Sequence, residues 1–106
     1  MMTFKEQFIA SAAIREKPFE LIFNGAALKG IVRIHPAKKY REIIDELTEK
    51  GLPVLQDQFL NAEDRSSMFG GQNIDEVLPD AVICDLYAEF VKANTGNDPR
   101  KPKKGE

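Results

Sequence analysis

The most constraining feature of this chain is a helical stretch near residue 90 that is apolar around most of its circumference. Residues 80–94 have the pattern of a helix, and residues 95–97 supply its stop. Its only polar stripe consists of Asp85, Glu89 and Lys92. A helix of this kind is buried on several sides, yet 106 residues offer limited material to cover it. The stretch therefore predicts either the central helix of the core or one half of an interface.

The apolar residues of this helix divide into two strips. The first is assigned to the core because Leu and Phe bury the most area, and it consists of Ile83, Leu86 and Phe90. The second is assigned to a partner protein because a tyrosine hydroxyl suits the rim of an interface, and it consists of Cys84, Tyr87, Ala88 and Val91. An apolar pair in a loop, Met68 and Phe69, is the next candidate for the partner surface.

Two elements are predicted for the first 35 residues of the chain. Thr3 and Glu6 have the spacing of a capping box, which predicts a first helix over residues 4–16. Alternating apolar residues on both sides of an Asn-Gly pair predict a β-hairpin over residues 18–35. Gly30 falls in the apolar register of the second strand, which indicates a bulge or a close approach of another segment.

The middle of the chain contains one clear helix and one ambiguous segment. Residues 37–50 carry apolar side chains at helical spacing, and Gly51 follows them as a stop. Residues 54–72 leave two alternatives open, a short helix that begins at Pro53 or a third strand that begins at Val54.

Together these elements predict an α+β fold, in which one antiparallel hairpin packs against three to four helices. Residues 1–96 are predicted to form a single globular domain. Residues 97–106 contain no apolar side chain and carry four bases against two acids, so they are predicted to be a disordered basic tail.

Charge and composition exclude several classes of function. The chain has 15 basic and 17 acidic residues, a balance that argues against nucleic-acid binding. One Cys and one His argue against a disulfide framework or a zinc cage, and no metal or other cofactor is expected. No apolar run is long enough to cross a bilayer, and the first residues do not resemble a secretory signal. The expected location is therefore the cytoplasm, which is the host cytoplasm if the protein is viral.

The titratable residues do not form a pattern that is typical of an active site. Cys84 lies in an apolar helix beside Asp85, where burial and a carboxylate would raise its thiol pKa, the wrong direction for a nucleophile. His35 precedes Pro36 and has no evident catalytic partner. A dyad of Cys84 and His35 would need both side chains within hydrogen-bond reach. The residues favour a non-catalytic binding module, and a small hydrolase or transferase is the least favoured alternative.

Two segments resemble a known family. Residues 3–19 resemble the opening of the tail assembly chaperones of long-tailed bacteriophages, which begin with a short helix and a strand pair. Met68 and Phe69, followed by residues 75–82 with their Leu-Pro step into the last helix, are similar to the second half of those proteins. The resemblance spans most of residues 3–96 and consists of the size and order of elements.

The resemblance implies a non-structural protein that keeps the long helical tape measure protein soluble and helps to recruit the major tail tube protein. It also implies, as a further partner, a longer form of the same protein made by ribosomal frameshifting, and it carries over no binding residue. The uncovered apolar helix independently favours a homo-oligomer. The alternative function is a small bacterial α+β interaction or regulatory subunit that acts as an oligomer.

Overall fold

The hairpin around Asn24 and Gly25 is the framework of the fold in a computed structural model, which describes residues 1–12 and 15–100. Strands β1 (Glu16–Phe23) and β2 (Ala26–Arg33) pair antiparallel over their full length. The turn between them has positive φ angles, 51° at Asn24 and 82° at Gly25, as the Asn-Gly pair predicts. The α+β prediction is confirmed.

A third strand, which the hairpin prediction did not contain, completes the sheet. Strand β3 (Phe59–Leu60) pairs antiparallel with β2, so the sheet order is β1-β2-β3. Before it, helix α3 (Leu52–Gln56) confirms the short-helix alternative for this segment. Two residues are too few for alternation to be detected, and pairing with β2 rather than local propensity defines this strand.

The first helix is shorter than predicted. Helix α1 spans Phe4–Ala12, and residues 13 and 14 lie outside the described part of the chain. The predicted end at residue 16 is wrong because Glu16 already belongs to β1, where it faces Arg33 across the hairpin. Its carboxylate also binds the Arg65 guanidinium at 2.6 Å. Tertiary pairing therefore overrides the local helical pattern.

The remaining helices agree with their patterns. Helix α2 spans Ala37–Lys50, the one-turn helix α4 spans Ile74–Val77, and helix α5 spans Asp80–Thr95 and ends at Gly96 in the left-handed region. Helix α5 lies against both β1 and β2, so it is the central helix of the core. The largest fully buried side chains come from five different elements, and they are Val32, Leu55, Phe59, Ile74, Leu86 and Phe90.

The loop after β3 packs back onto the sheet instead of facing outward. Phe69 is buried with its ring 6.3 Å from that of Phe59, and Met68 is half-buried. A Cβ at Gly30 would stand 2.7 Å from the Leu60 carbonyl oxygen and would overlap the Met68 methyl group. Gly30 therefore marks the place where Leu60 and Met68 approach β2 closely, and it is not a bulge. The assignment of Met68 and Phe69 to a partner surface is corrected, because both fill space inside this chain.

The segment after α5 is ordered further than predicted. The Arg100 guanidinium binds Glu89, Asp85 at 3.4 Å and Asp98 at 2.9 Å. The disordered tail predicted from residue 97 is thus corrected for residues 98–100, here named the strap, because Arg100 forms ion pairs with Asp85 and Glu89 of α5. The rest of that tail, residues 101–106, lies outside the described residues.

Candidate functional site

An apolar groove lies between α5 and the α2–α3 pair. Its volume is about 470 Å³, a size that suits a ligand or a protein side-chain cluster. The strap closes one side of it through Pro99 and Arg100. This cavity is named the groove. Its walls are formed by side chains of the helices, namely Leu47, Leu52, Leu55, Ile83, Cys84, Tyr87 and Ala88.

The break between α2 and α3 opens this groove. Gly51 has a φ of 79°, which turns the chain at the end of α2 while its N–H donates to the Leu47 carbonyl at 2.9 Å. Pro53 then starts α3 in a new direction. The groove is therefore a consequence of the Gly-Leu-Pro sequence, which prevents a single long helix from covering α5.

The two predicted strips of α5 have different outcomes. Ile83, Leu86 and Phe90 are buried, as predicted, and Leu86 and Phe90 are inaccessible to solvent. In the second strip, Cys84 and Tyr87 are exposed at the groove.

The other two members of that strip are less exposed. Ala88 is 2% exposed and forms the floor of the groove. Val91 is half-buried and is outside the groove. Three members of the second strip therefore line the groove, and Val91 does not.

The Cys84 thiol is exposed rather than buried. Its Sγ lies 3.8 Å from Oδ2 of Asp80, and the negative charge of this carboxylate raises the thiol pKa above its ordinary value. The predicted direction of the pKa shift is correct, but the main cause is a neighbouring charge. A thiol with a raised pKa is a slow nucleophile at neutral pH.

His35 lies at a separate place on the molecule. Its Nε2 is 2.7 Å from Oε1 of Gln58, and its ring packs against Phe90. The backbone N–H of His35 donates to Oδ1 of Asn94 at 2.8 Å. His35 and Cys84 line different cavities, so the structure does not bring together the dyad considered from the sequence. The hydrogen bonds of His35 join the end of β2 to Asn94 of α5 and to Gln58, which directly precedes β3.

The strap is a part of the site that sequence reasoning missed. Glu89 is mostly buried, with 11% of its side chain exposed, and it pairs with Arg100. The sequence places Asp85 and Glu89 in the polar stripe of the helix and predicts no partner for them. Two acidic residues four apart on an otherwise apolar helix were the available signal for a basic partner.

A second exposed apolar surface lies on α1. Every residue of α1 from Phe4 to Ser11 is exposed. Exposed fractions are 91% for Phe4, 75% for Phe8 and 56% for Ile9. The capping box predicted from Thr3 and Glu6 is present, since the Glu6 N–H donates to Thr3 Oγ1 at 3.1 Å and Glu6 Oε1 accepts from the Thr3 N–H at 3.2 Å. The cap stabilises a helix that packing leaves bare.

Across residues 1–12 and 15–100, no cluster of three metal-ligating side chains occurs and no buried side-chain polar atom lacks a partner. Among the same residues, no helix is long and apolar enough to cross a membrane. Comparison of the chain with protein-family models, with curated proteins and with solved structures finds no match.

Proposed function

We propose that this protein is a non-catalytic tail assembly chaperone of a long-tailed bacteriophage, which holds an amphipathic helix of the tape measure protein. The observation that carries the proposal is the open apolar groove between α5 and the α2–α3 pair. The resemblance of residues 3–19 and 75–82 to that family supplies the client and the second partner, the tail tube protein.

The groove has the chemistry that a client helix needs. Its walls are Leu, Ile, Ala and Tyr side chains, and apolar side chains at i, i+3 or i+4 and i+7 of a client helix would fill such a groove. Tyr87 is 38% exposed, so its ring can cover the client while its hydroxyl stays at the wet rim. The long helical client that the resemblance implies could present such an apolar face to the groove.

Cys84 makes occupancy of the groove measurable. It is the single cysteine of the chain and lies in the groove wall. A bound helix shields the thiol, so the rate of alkylation by a maleimide reports the occupied fraction. The groove variant is Tyr87→Glu, which places a charge where the client would desolvate it. The matched control is Val77→Glu, because Val77 is 53% exposed and lies on α4 away from the groove.

The experiment uses the neighbouring genes. The proposal expects a tail tube gene upstream and a gene for a very long helical protein downstream. Helical fragments of that long protein should slow alkylation of Cys84 and should be retained by the wild type and by Val77→Glu, but not by Tyr87→Glu. Absence of both genes, or equal retention by all three proteins, would overturn the proposal.

The alternative function is a small bacterial interaction or regulatory subunit that acts as an oligomer. The bare apolar face of α1 favours it independently of any phage client. It predicts a stable cellular partner that protects Cys84 and no tail genes nearby. The two functions therefore differ in the gene neighbourhood and in the identity of the groove's occupant.

A further inference from the structure

The face of α1 is broad and carries one charge at its centre. At 100° per residue, Phe4, Phe8, Ile9 and Lys5 fall within one arc, and Glu6 falls on the other side of the helix. Exposure of two phenylalanine side chains to water is unfavourable, and an exposed apolar face of this kind is typical of an interaction surface.

The groove complements this face in shape and in charge. It is an open apolar channel, and Asp80 lies beside it, next to the thiol of Cys84. Within the described residues, neither Lys5 nor Asp80 forms an ion pair. An α1 helix seated in the groove would bring its one central cation toward a carboxylate that has no cation partner there.

We propose that α1 of a second copy of this chain occupies the groove, with Lys5 facing Asp80, and that two such contacts form a twofold-symmetric dimer. In the single chain, α1 does not line the groove, so both surfaces of one copy are available to another copy. Reciprocal exchange of the two helices gives a closed, self-complementary interface.

The buried area agrees with two contacts rather than one. Two phenylalanines bury about 300–500 Å², and the groove loses a comparable area against them. One contact therefore buries about 600–1,000 Å², which is below the roughly 1,200–2,000 Å² of stable protein interfaces. Two reciprocal contacts reach that range, so the dimer is expected to close on itself rather than to remain a single contact.

This inference shares its groove with the proposed function but does not require a phage client. If both hold, the α1 helix of the partner copy occupies the groove until a client helix displaces it, and client binding dissociates the dimer. The experiments below contain no client, so their failure and the failure of the proposed function are distinguishable.

The first test is a disulfide between the two surfaces. The variant Ser11→Cys adds a second thiol to α1 beside Phe4 and Phe8 without removing an apolar side chain, and Cys84 supplies the thiol of the groove. Under a mild chemical oxidant, we expect a covalent dimer on a denaturing gel, at a yield well above that of the wild type and of the control Ile22→Cys. Ile22 is 66% exposed on β1 and is a matched site. A linked monomer would show that α1 covers its own groove, and no excess crosslinking would show that α1 lies elsewhere; either result overturns the proposal.

The second test is an exchange of charges, read by sedimentation across a concentration series. Lys5→Glu should weaken the dimer by about 5–10-fold, because the new carboxylate would face the carboxylate of Asp80. Adding Asp80→Lys to Lys5→Glu should restore most of the loss. Phe8→Ser should weaken the dimer by about 30-fold or more, and Ile22→Ser should not. A wild type that stays monomeric at high concentration, or a charge exchange without rescue, would also overturn the proposal.

Discussion

Helices α1 and α5 come from similar apolar patterns but have opposite positions in the fold. In α5, Leu86 and Phe90 are inaccessible to solvent, whereas in α1 Phe4 is 91% exposed. The exposed helix is the one with the better N-terminal cap. Helix α1 has a complete capping box, whereas α5 begins at Pro79 without any side-chain cap. Packing stabilises α5 and local hydrogen bonds stabilise α1. Apolar periodicity therefore predicts a helix, but it does not predict which protein chain covers that helix.

The largest expected effect contrasts one phenylalanine from each helix. Phe90→Ala should lower the free energy of unfolding by about 3–5 kcal/mol, because the side chain is fully buried against Tyr40 and His35. Phe8→Ala should change it by less than about 0.5 kcal/mol in dilute protein, because the side chain is 75% exposed. Urea denaturation followed by circular dichroism measures both. Comparable losses for the two variants would show that α1 packs on the body of its own chain.

How far the sequence predicts this fold depends on what specifies each element. Residues 24–25 and 37–50 were predicted correctly because turn chemistry and helical periodicity act locally. The third strand and the strap were missed because each depends on a distant partner, β2 for residues 59–60 and α5 for Arg100.

The candidate site was predicted only in part for the same reason. The apolar excess of α5 indicated a binding surface, and Cys84 and Tyr87 do line the groove. Phe69 was misplaced because its position in the sequence does not reveal that a returning loop buries it against the sheet.

The second prediction concerns Gly30, the most tightly packed of the glycines that the structure describes. Gly30→Ala should cost about 1–3 kcal/mol, because the new methyl group would overlap Met68 and approach the Leu60 carbonyl. The pair Gly30→Ala with Met68→Ala should lose less stability than the sum of the two single variants, since removing the Met68 side chain frees part of the space. Thermal unfolding of all four proteins measures this coupling. Strict additivity would contradict the close approach seen here.

The third prediction tests whether the cap alone holds α1. Thr3→Ala removes the Oγ1 acceptor of the Glu6 N–H and should cost α1 about 1 kcal/mol. The loss should appear as faster amide exchange over residues 6–11 in dilute protein, while the global unfolding transition stays unchanged. The control is Pro79→Ala at the start of α5, where no side-chain cap exists to be lost. A fall in global stability for Thr3→Ala would mean that α1 unfolds together with the body.

The smallest expected effect concerns the strap, which, like α1, relies on polar contacts rather than on burial of apolar area. Hydrogen bonds from Arg100 lower the pKa of Asp98 from 3.8 to about 2. Because the folded pKa is depressed, the ionised carboxylate favours the folded turn of the strap in which Asp98 pairs with Arg100. This contribution is complete above pH 3.8 and is lost as the pH falls through about 2.

Arg100→Ala should return the pKa of Asp98 toward 3.8, measurable by NMR titration of the carboxyl carbon. The same variant should speed alkylation of Cys84 at neutral pH, because the strap forms one side of the groove. Lys92→Ala is the control, since it removes a cation of α5 that is outside the groove and makes only a minor contribution to that pKa. An unchanged Asp98 pKa in Arg100→Ala would show that Arg100 does not pair with Asp98. A return of the Asp98 pKa toward 3.8 together with unchanged thiol reactivity would show that the strap does not restrict access to the groove.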